Sequence, residues 1–211
     1  MPLEEGTKRD IAVIRGIRDA VGRDAEIMID ANNGYNLNLT KEVLLGTRDV
    51  NLFWIEEAFM EDEVLYAELK SWMSKEGLNV LIADGEGYAA PPLVEWAKRG
   101  TIDIIQYDIQ EYGYHRWMKL GKELDSYGVR SAPHNYNSAF GNYASAHLAA
   151  SLSNFLYVEW DEIDVPGLDA SAFIISEGAL YVPELPGFGL MLDETFYENK
   201  VRETGWIAKT E

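Results

Sequence analysis

With 211 residues, 47% of them hydrophobic and 12% aromatic, the chain can bury one large core, and this composition argues against disorder. Its 18 basic and 36 acidic side chains leave a formal charge of −18, which argues against affinity for nucleic acid or an anionic membrane and makes a cation the natural partner. No cysteine is present, which rules out disulfides, thiolate metal sites and cysteine nucleophiles, and neither the opening MPLEEGTKRD nor any later stretch reads as a signal peptide or a bilayer span, so a soluble, cytoplasmic protein is expected.

In chain order, a helical pattern, TKRDIAVIRGIRDAVG, precedes the first of six short apolar runs that finish in polar residues. The runs are EIMIDANN (26–33), NLFWIEEA (51–58), NVLIADGE (79–86), IDIIQYDI (102–109), VRSAPHNY (129–136) and NFLYVEWD (154–161). Between them stand LTKEVLLGTRDV, EDEVLYAELKSWMSKEG, PPLVEWAKRG, YHRWMKLGKELDSYG and AFGNYASAHLAASL, each with apolar residues at helical spacing. Strands alternating with helices at this rhythm predict right-handed βαβ crossovers and a parallel sheet, hence an α/β fold. Residues 1–211 read as a single domain, with 162–211 a closing tail punctuated by VPGLD and LPGFGL and expected to be irregular. LPGFGL lacks the lysine and hydroxyl of a phosphate loop and reads as a turn.

Every run carries an ionisable residue near its C-terminal end: Asp30, Glu56, Glu86, Asp108, His134 and Glu159, at spacings of 26, 30, 22, 26 and 25. Alone, any one of them would pass for a helix N-cap. Six of six point to a site, because a parallel barrel gathers all its strand C-termini on one mouth. A doubly wound sheet would line them along one edge, which suits a ring of charges less well.

Asp30, Glu56 and Glu86 form an all-oxygen set suited to a hard divalent ion, with Mg2+ the best fit. Such an ion binds a substrate carboxylate and absorbs the charge that develops when the neighbouring carbon loses a proton. Asp108 and His134, on successive strands, make an acid–base pair in which Asp108 orients the ring, and Glu159 can donate a hydrogen bond or proton to an enediolate. Asp84 shares the strand face of Glu86 and competes with it as a ligand. Glu57 points away from Glu56 and reads as a supporting group or the partner of a base. Asn32, two residues after Asp30, Asn135 in PHNYN, and Trp160 beside Glu159 are candidate substrate contacts. Asn33 reads as a turn former, and Tyr136 and Asn137 as loop residues able to meet substrate hydroxyls. His115 reads as a surface residue, His147 as a core one, and Trp54, Trp72, Trp96, Trp117 and Trp206 as packing.

IDANNGY, WIEEAF, LIADGEG, QYDIQEYG, SAPHNYNSAFGN and YVEWDE, in that order, resemble the C-terminal barrel of the enolase superfamily, in its mandelate racemase and muconate lactonizing subgroup. The resemblance spans residues of about 5 to 195 and implies a TIM-like (β/α) barrel with magnesium on Asp30, Glu56 and Glu86, an Asp108–His134 dyad, and Glu159 at the last strand. It further implies α-proton abstraction from a small carboxylic acid, with dehydration of a sugar acid favoured over racemisation or cycloisomerisation. Ala58 stands where members commonly carry proline. Six runs against the family's eight strands, with no Lys-x-Lys strand or capping domain in view, lead to the expectation of an incomplete barrel, whose open edges self-association into a homo-oligomer would cover. Lys8, in the TKRD helix start, does not suit the role of the family's lysine base.

Overall fold

A computed structural model describes residues 3–87 and 89–205. The chain opens with α1 (Leu3–Val21) and β1 (Met28–Asp30), then α2 (Leu37–Gly46), β2 (Trp54–Glu56), α3 (Glu63–Glu76), β3 (Leu81–Asp84), α4 (Leu93–Lys98) and β4 (Ile104–Ile105). There follow α5 (Ile109–Tyr112), α6 (Tyr114–Tyr127), β5 (Arg130–Ser131) and α7 (Ala139–Ala149). The first five strands form one parallel sheet in sequential order, the α/β arrangement of a barrel that is not closed.

Local chemistry explains the boundaries. Asn36 and Asp62 cap α2 and α3, each accepting two backbone N–H bonds of 2.9–3.1 Å from the first turn. Ser138 caps α7 through Gly141 N at 3.1 Å. The stretch LTKEVLLGTRDV divides after Gly46 into α2 and a short 3-10 turn, Arg48–Val50. There the Thr47 hydroxyl bonds back to Val43 O at 2.8 Å, a local alternative to the helical ladder.

Strand alternation sorts side chains into two layers. Ile55, Ile82 and Ile105 face the helices and join the main core with Tyr66, Leu69, Trp117 and Leu148. Trp54, Ala83, Ile104 and Ala132 face inward, with Met28, Leu81 and Leu156 packed against them. The inner layer is small beside the outer one. Trp54, Trp96 and Trp117 are buried and Trp72 packs on the core as expected; Trp206 lies outside the described residues.

The sixth apolar run does not form a strand of the sheet. It makes one parallel bridge, Phe155 to Ser131, through Ser131 N–H to Asn154 O at 3.0 Å and Leu156 N–H to Ser131 O at 3.1 Å. With strand pairing on one side only, Tyr157 turns to the first strands instead. Its hydroxyl donates to Glu26, and its ring lies 6.0 Å from those of Phe53 and Trp54.

The segment from residue 162 is more ordered than its composition suggests. It holds β6 (Leu168–Asp169), β7 (Ile174–Ser176), β8 (Ala179–Tyr181), β9 (Met191–Leu192) and α8 (Glu194–Thr204). β6 pairs with β9 and β7 with β8, both antiparallel. Glu177 and Gly178, at φ 53° and 75°, supply the two positive φ values of a tight hairpin turn. The segment anchors by aromatic contacts: Phe173 lies 4.7 Å from Tyr143, and Phe188 lies 5.5 Å from both Tyr114 and His147. No helix among the described residues is long and apolar enough to cross a membrane.

Candidate active site

Asp30 and Glu56 end neighbouring strands and stand opposite each other in register, while β3 carries Ala83 at that level. The third carboxylate, Glu86, comes from the loop after Gly85, whose φ of +128° only glycine adopts without strain. A cavity of about 350 Å³ opens inside the curl of the sheet, with Asp30, Trp54, Glu56, Gln106, Tyr157 and Glu159 in its wall.

Beside the cavity stands the imidazole of His134. Its Nδ1 faces Asp108 Oδ2 at 3.1 Å and its Nε2 faces Glu86 Oε1 at 3.4 Å. A carboxylate can only accept, so Asp108 fixes a proton on Nδ1, while Nε2 points to Glu86 at the mouth. Asp108 is itself held, because its other oxygen caps α5 through Gln110 N at 2.7 Å and Glu111 N at 2.8 Å. Burial alone would lower the His134 pKa, but the carboxylates of Glu159, Glu86 and Asp108 outweigh it and raise it above the usual histidine value. A second cavity, of about 510 Å³, lies on the outer flank of Asp108, where Arg116 stacks 4.1 Å over the Tyr112 ring.

The carboxylates repel one another without a cation among them. Burial, chiefly, with the charges of Asp30 and Glu159, pushes Glu56 up to about 7, against hydrogen bonds from Gln106 and Trp54 Nε1, the latter 3.1 Å from Oε2. Burial raises Glu86 as well, helped by Asp30 and Asp108 and opposed by His134. The Glu159 residue is exposed, yet partial burial of its carboxyl is the main reason that group sits above its usual range.

In the metal-free protein a carboxyl whose folded pKa exceeds its unfolded value costs stability as pH rises. For Glu56 the loss begins near 4.5 and is complete above about 7. Glu56→Gln is therefore expected to raise stability at pH 8 by about 3 kcal/mol, with no gain at pH 4, in urea titrations of metal-free protein. An equal gain at both pH values would show that packing, not charge, limits stability there.

The structure separates several groups that spacing alone placed together. Asp84 is buried, accepts from the Tyr66 hydroxyl and from Gly85 N at 2.7 Å, and so points into the helix layer rather than to the mouth. Glu57 is 6% exposed at φ +41°, and the charged groups acting on it are the carboxylates of Glu86, Asp30 and Glu61 rather than a base. Asn32, exposed and at φ +45°, serves Asp30 through its backbone, N–H to Oδ1 at 2.7 Å. The Asn135 side chain is fully buried, and its Nδ2 binds Ser138 O and Asn142 Oδ1 at 3.1 and 2.8 Å. Trp160 packs edge-on against Tyr143 of α7, with ring centres 5.7 Å apart. Lys8 is exposed on α1 and pairs with Glu4.

Two further residues belong to the cavity, Trp54, which reads from the sequence as packing, and Gln106. Gln106 is 3% exposed and bonds Glu56; its signal was a lone amide inside IDIIQYDI, on the parity of Asp108. Trp54 carries an indole N–H that holds a carboxylate, which its apolar surroundings concealed. Asn32, Asn33, Glu57 and Asn137 all adopt left-handed backbone, a concentration of strain in the loops at the mouth.

A curled parallel sheet with acids and one histidine at and just beyond its strand ends defines an incomplete TIM-like barrel domain with an acid-lined mouth. Residues 2–196 match the family described as enolase C-terminal domain-like, and the chain belongs to it. Arabinonate dehydratase of Saccharolobus solfataricus is 28% identical over 199 residues, 90% of this chain and 51% of that protein. Galacturonate dehydratase from Geobacillus sp., complexed with D-galacturonate and 5-keto-4-deoxy-D-galacturonate, shares 55% identity at a TM-score of 0.94 over 98% of this chain and 56% of that one. A mandelate racemase/muconate lactonizing protein from Geobacillus sp. Y412MC10, complexed with magnesium and tartrate, gives the same identity and TM-score over 98% and 53%. The chain thus spans about half the length of the relatives it matches.

Among the described residues no three acidic or imidazole groups stand close enough to hold a metal ion outright. The donor chemistry nonetheless fits a hard divalent cation. Asp30 and Glu56 are adjacent in register, and Asp30 acts electrostatically on both Glu56 and Glu86, so one positive charge would relieve all three.

Proposed function

We propose that this chain carries the chemistry of a sugar-acid dehydratase: abstraction of the proton α to a carboxylate, followed by β-elimination of water. The observation that carries this reading is His134, oriented by Asp108 and aimed at the mouth where Glu86 and Glu159 converge on it. Asp30, Glu56 and Glu86 would hold Mg2+, which when bound supplies positive charge for the substrate carboxylate and the developing enediolate. The substrate class comes from the galacturonate dehydratase at 55% identity and from arabinonate dehydratase.

His134 Nε2 takes the α-proton as the C–H electrons pass into the enediolate, and Asp108 steadies the imidazolium that forms. Glu159, across the cavity wall, donates a hydrogen bond to the enediolate. The C–O bond to the β-hydroxyl then breaks, His134 returns the proton to the departing oxygen as water, and the enol left behind becomes a ketone. No net oxidation occurs, and no further co-reactant is needed.

The open spacing of the three acids favours a second reading: a domain that binds the cation weakly and turns nothing over. Solvent deuterium separates the two. With millimolar Mg2+, D-galacturonate and other sugar acids are expected to gain deuterium at the α-carbon or yield a dehydrated product about 17 mass units lighter, water lost and one deuteron gained on carbon, read by mass spectrometry. Stabilisation by Mg2+ without exchange or product would support the non-catalytic reading.

A further inference from the structure

Glu159 presents a positioning problem. The run that carries it leaves the sheet after Leu156, and residues 157–161 belong to no strand. Strand partners normally fix such a carboxylate by their ladder of N–H and C=O groups. Here a side chain takes their place. Asn142, on α7 and 1% exposed, donates from Nδ2 to Asp161 O at 2.7 Å and accepts at Oδ1 from Asp161 N at 3.0 Å. One carboxamide thus meets both main-chain groups of one residue, as a neighbouring strand would. The same Oδ1 accepts from Asn135 Nδ2 at 2.8 Å, and Asn135 N–H donates to Glu159 Oε2 at 2.6 Å.

The packing around this clip leaves no slack. A Cβ at Gly141 would lie 1.7 Å from Asn135 Oδ1, so only glycine lets α7 approach the loop that closely. A mid-helix asparagine is a poor helix former, and burying it calls for bonds that satisfy it, which Asp161 and Asn135 provide.

We propose that Asn142 is a positioning residue that locks the loop carrying His134 to the run carrying Glu159, and so fixes the Glu159 carboxylate at the cavity wall. Its effect on turnover rests on the function proposed above; its effect on geometry does not.

The test is amide hydrogen exchange on the whole chain, read by NMR for Asn142→Ala and for the isosteric Asn142→Asp, which keeps both acceptor bonds and loses the donor. In Asn142→Ala, the Asn135 amide is expected to exchange about fivefold to tenfold faster, while the Ile55 amide in β2 is unchanged. Asn142→Asp is expected to show a smaller increase. In deuterium incorporation into D-galacturonate, Asn142→Ala should lower kcat by a similar factor, with KM and the Mg2+ response near wild type, and Asn142→Asp should recover part of it. Unchanged Asn135 exchange in both variants, or equal acceleration at Ile55, would overturn the assignment. Wild-type protein inactive on every sugar acid would count against the dehydratase reading, leaving the exchange result to decide the role of Asn142.

Discussion

Replacing His134 with alanine is expected to reduce deuterium incorporation into D-galacturonate by about 10²–10⁴-fold, the contribution of one well-placed acid–base group. The imidazole stands between two carboxylates, Asp108 at 3.1 Å from Nδ1 and Glu86 at 3.4 Å from Nε2, and it acts as the base in its neutral form, with the proton on Nδ1. Asp108→Asn keeps the shape but lets the ring adopt the other tautomer, so a substantial loss is expected there too. Mg2+ affinity, measured by calorimetry, should survive His134→Ala because the proposed ligands are untouched. A variant that lost metal binding and exchange together would place His134 in the metal site instead.

The second large effect concerns stability. Tyr66→Phe is expected to cost about 3 kcal/mol, and to lower Tm by roughly 6–12 °C, although it removes a single oxygen. Tyr66 is fully buried, and its hydroxyl lies between Phe59 O, at 3.1 Å, and the carboxyl of Asp84, itself 1% exposed. Burial already drives Asp84 up to about 7, opposed first by the Tyr66 hydrogen bond and then by the backbone bond from Gly85. Without the hydroxyl, one carboxyl oxygen is stranded in the helix layer. Phe59, stacked 4.6 Å from Tyr66, would keep its ring contact in the variant, so the loss isolates the polar term. Denaturant midpoints would measure it, and a cost below about 1 kcal/mol would mean that Asp84 finds another donor.

The alternation of apolar runs and helices was legible, and with it the parallel sheet, because strand and helix periodicities differ and six repeats leave little room for accident. That Asp30 and Glu56 end neighbouring strands was legible for the same reason. Orientation beyond the last strand residue was not. Asp84 and Glu86 share parity on an ideal strand, yet the left-handed Gly85 between them sends one into the helix layer and leaves the other at the mouth. Asn135 and Trp160 adjoin His134 and Glu159 in sequence, but hydrogen bonding within the loop and an aromatic contact on α7 turn their side chains from the cavity. NFLYVEWD has the composition of a strand; whether it becomes one depends on flanking partners, which composition does not report.

Tyr157 has a consequence for what the cavity can admit. Between the first and last segments of the curl, the contact is a phenol reaching Glu26 past Phe53 and Trp54, not a backbone ladder. One wall of the cavity therefore rests on side-chain torsions, which relax in picoseconds to nanoseconds, while the opposite wall is sheet and moves only with the fold. The volume is elastic on one side, so ligands differing by a hydroxyl or a carbon should be sorted less by fit against Tyr157 than by the fixed polar groups facing it.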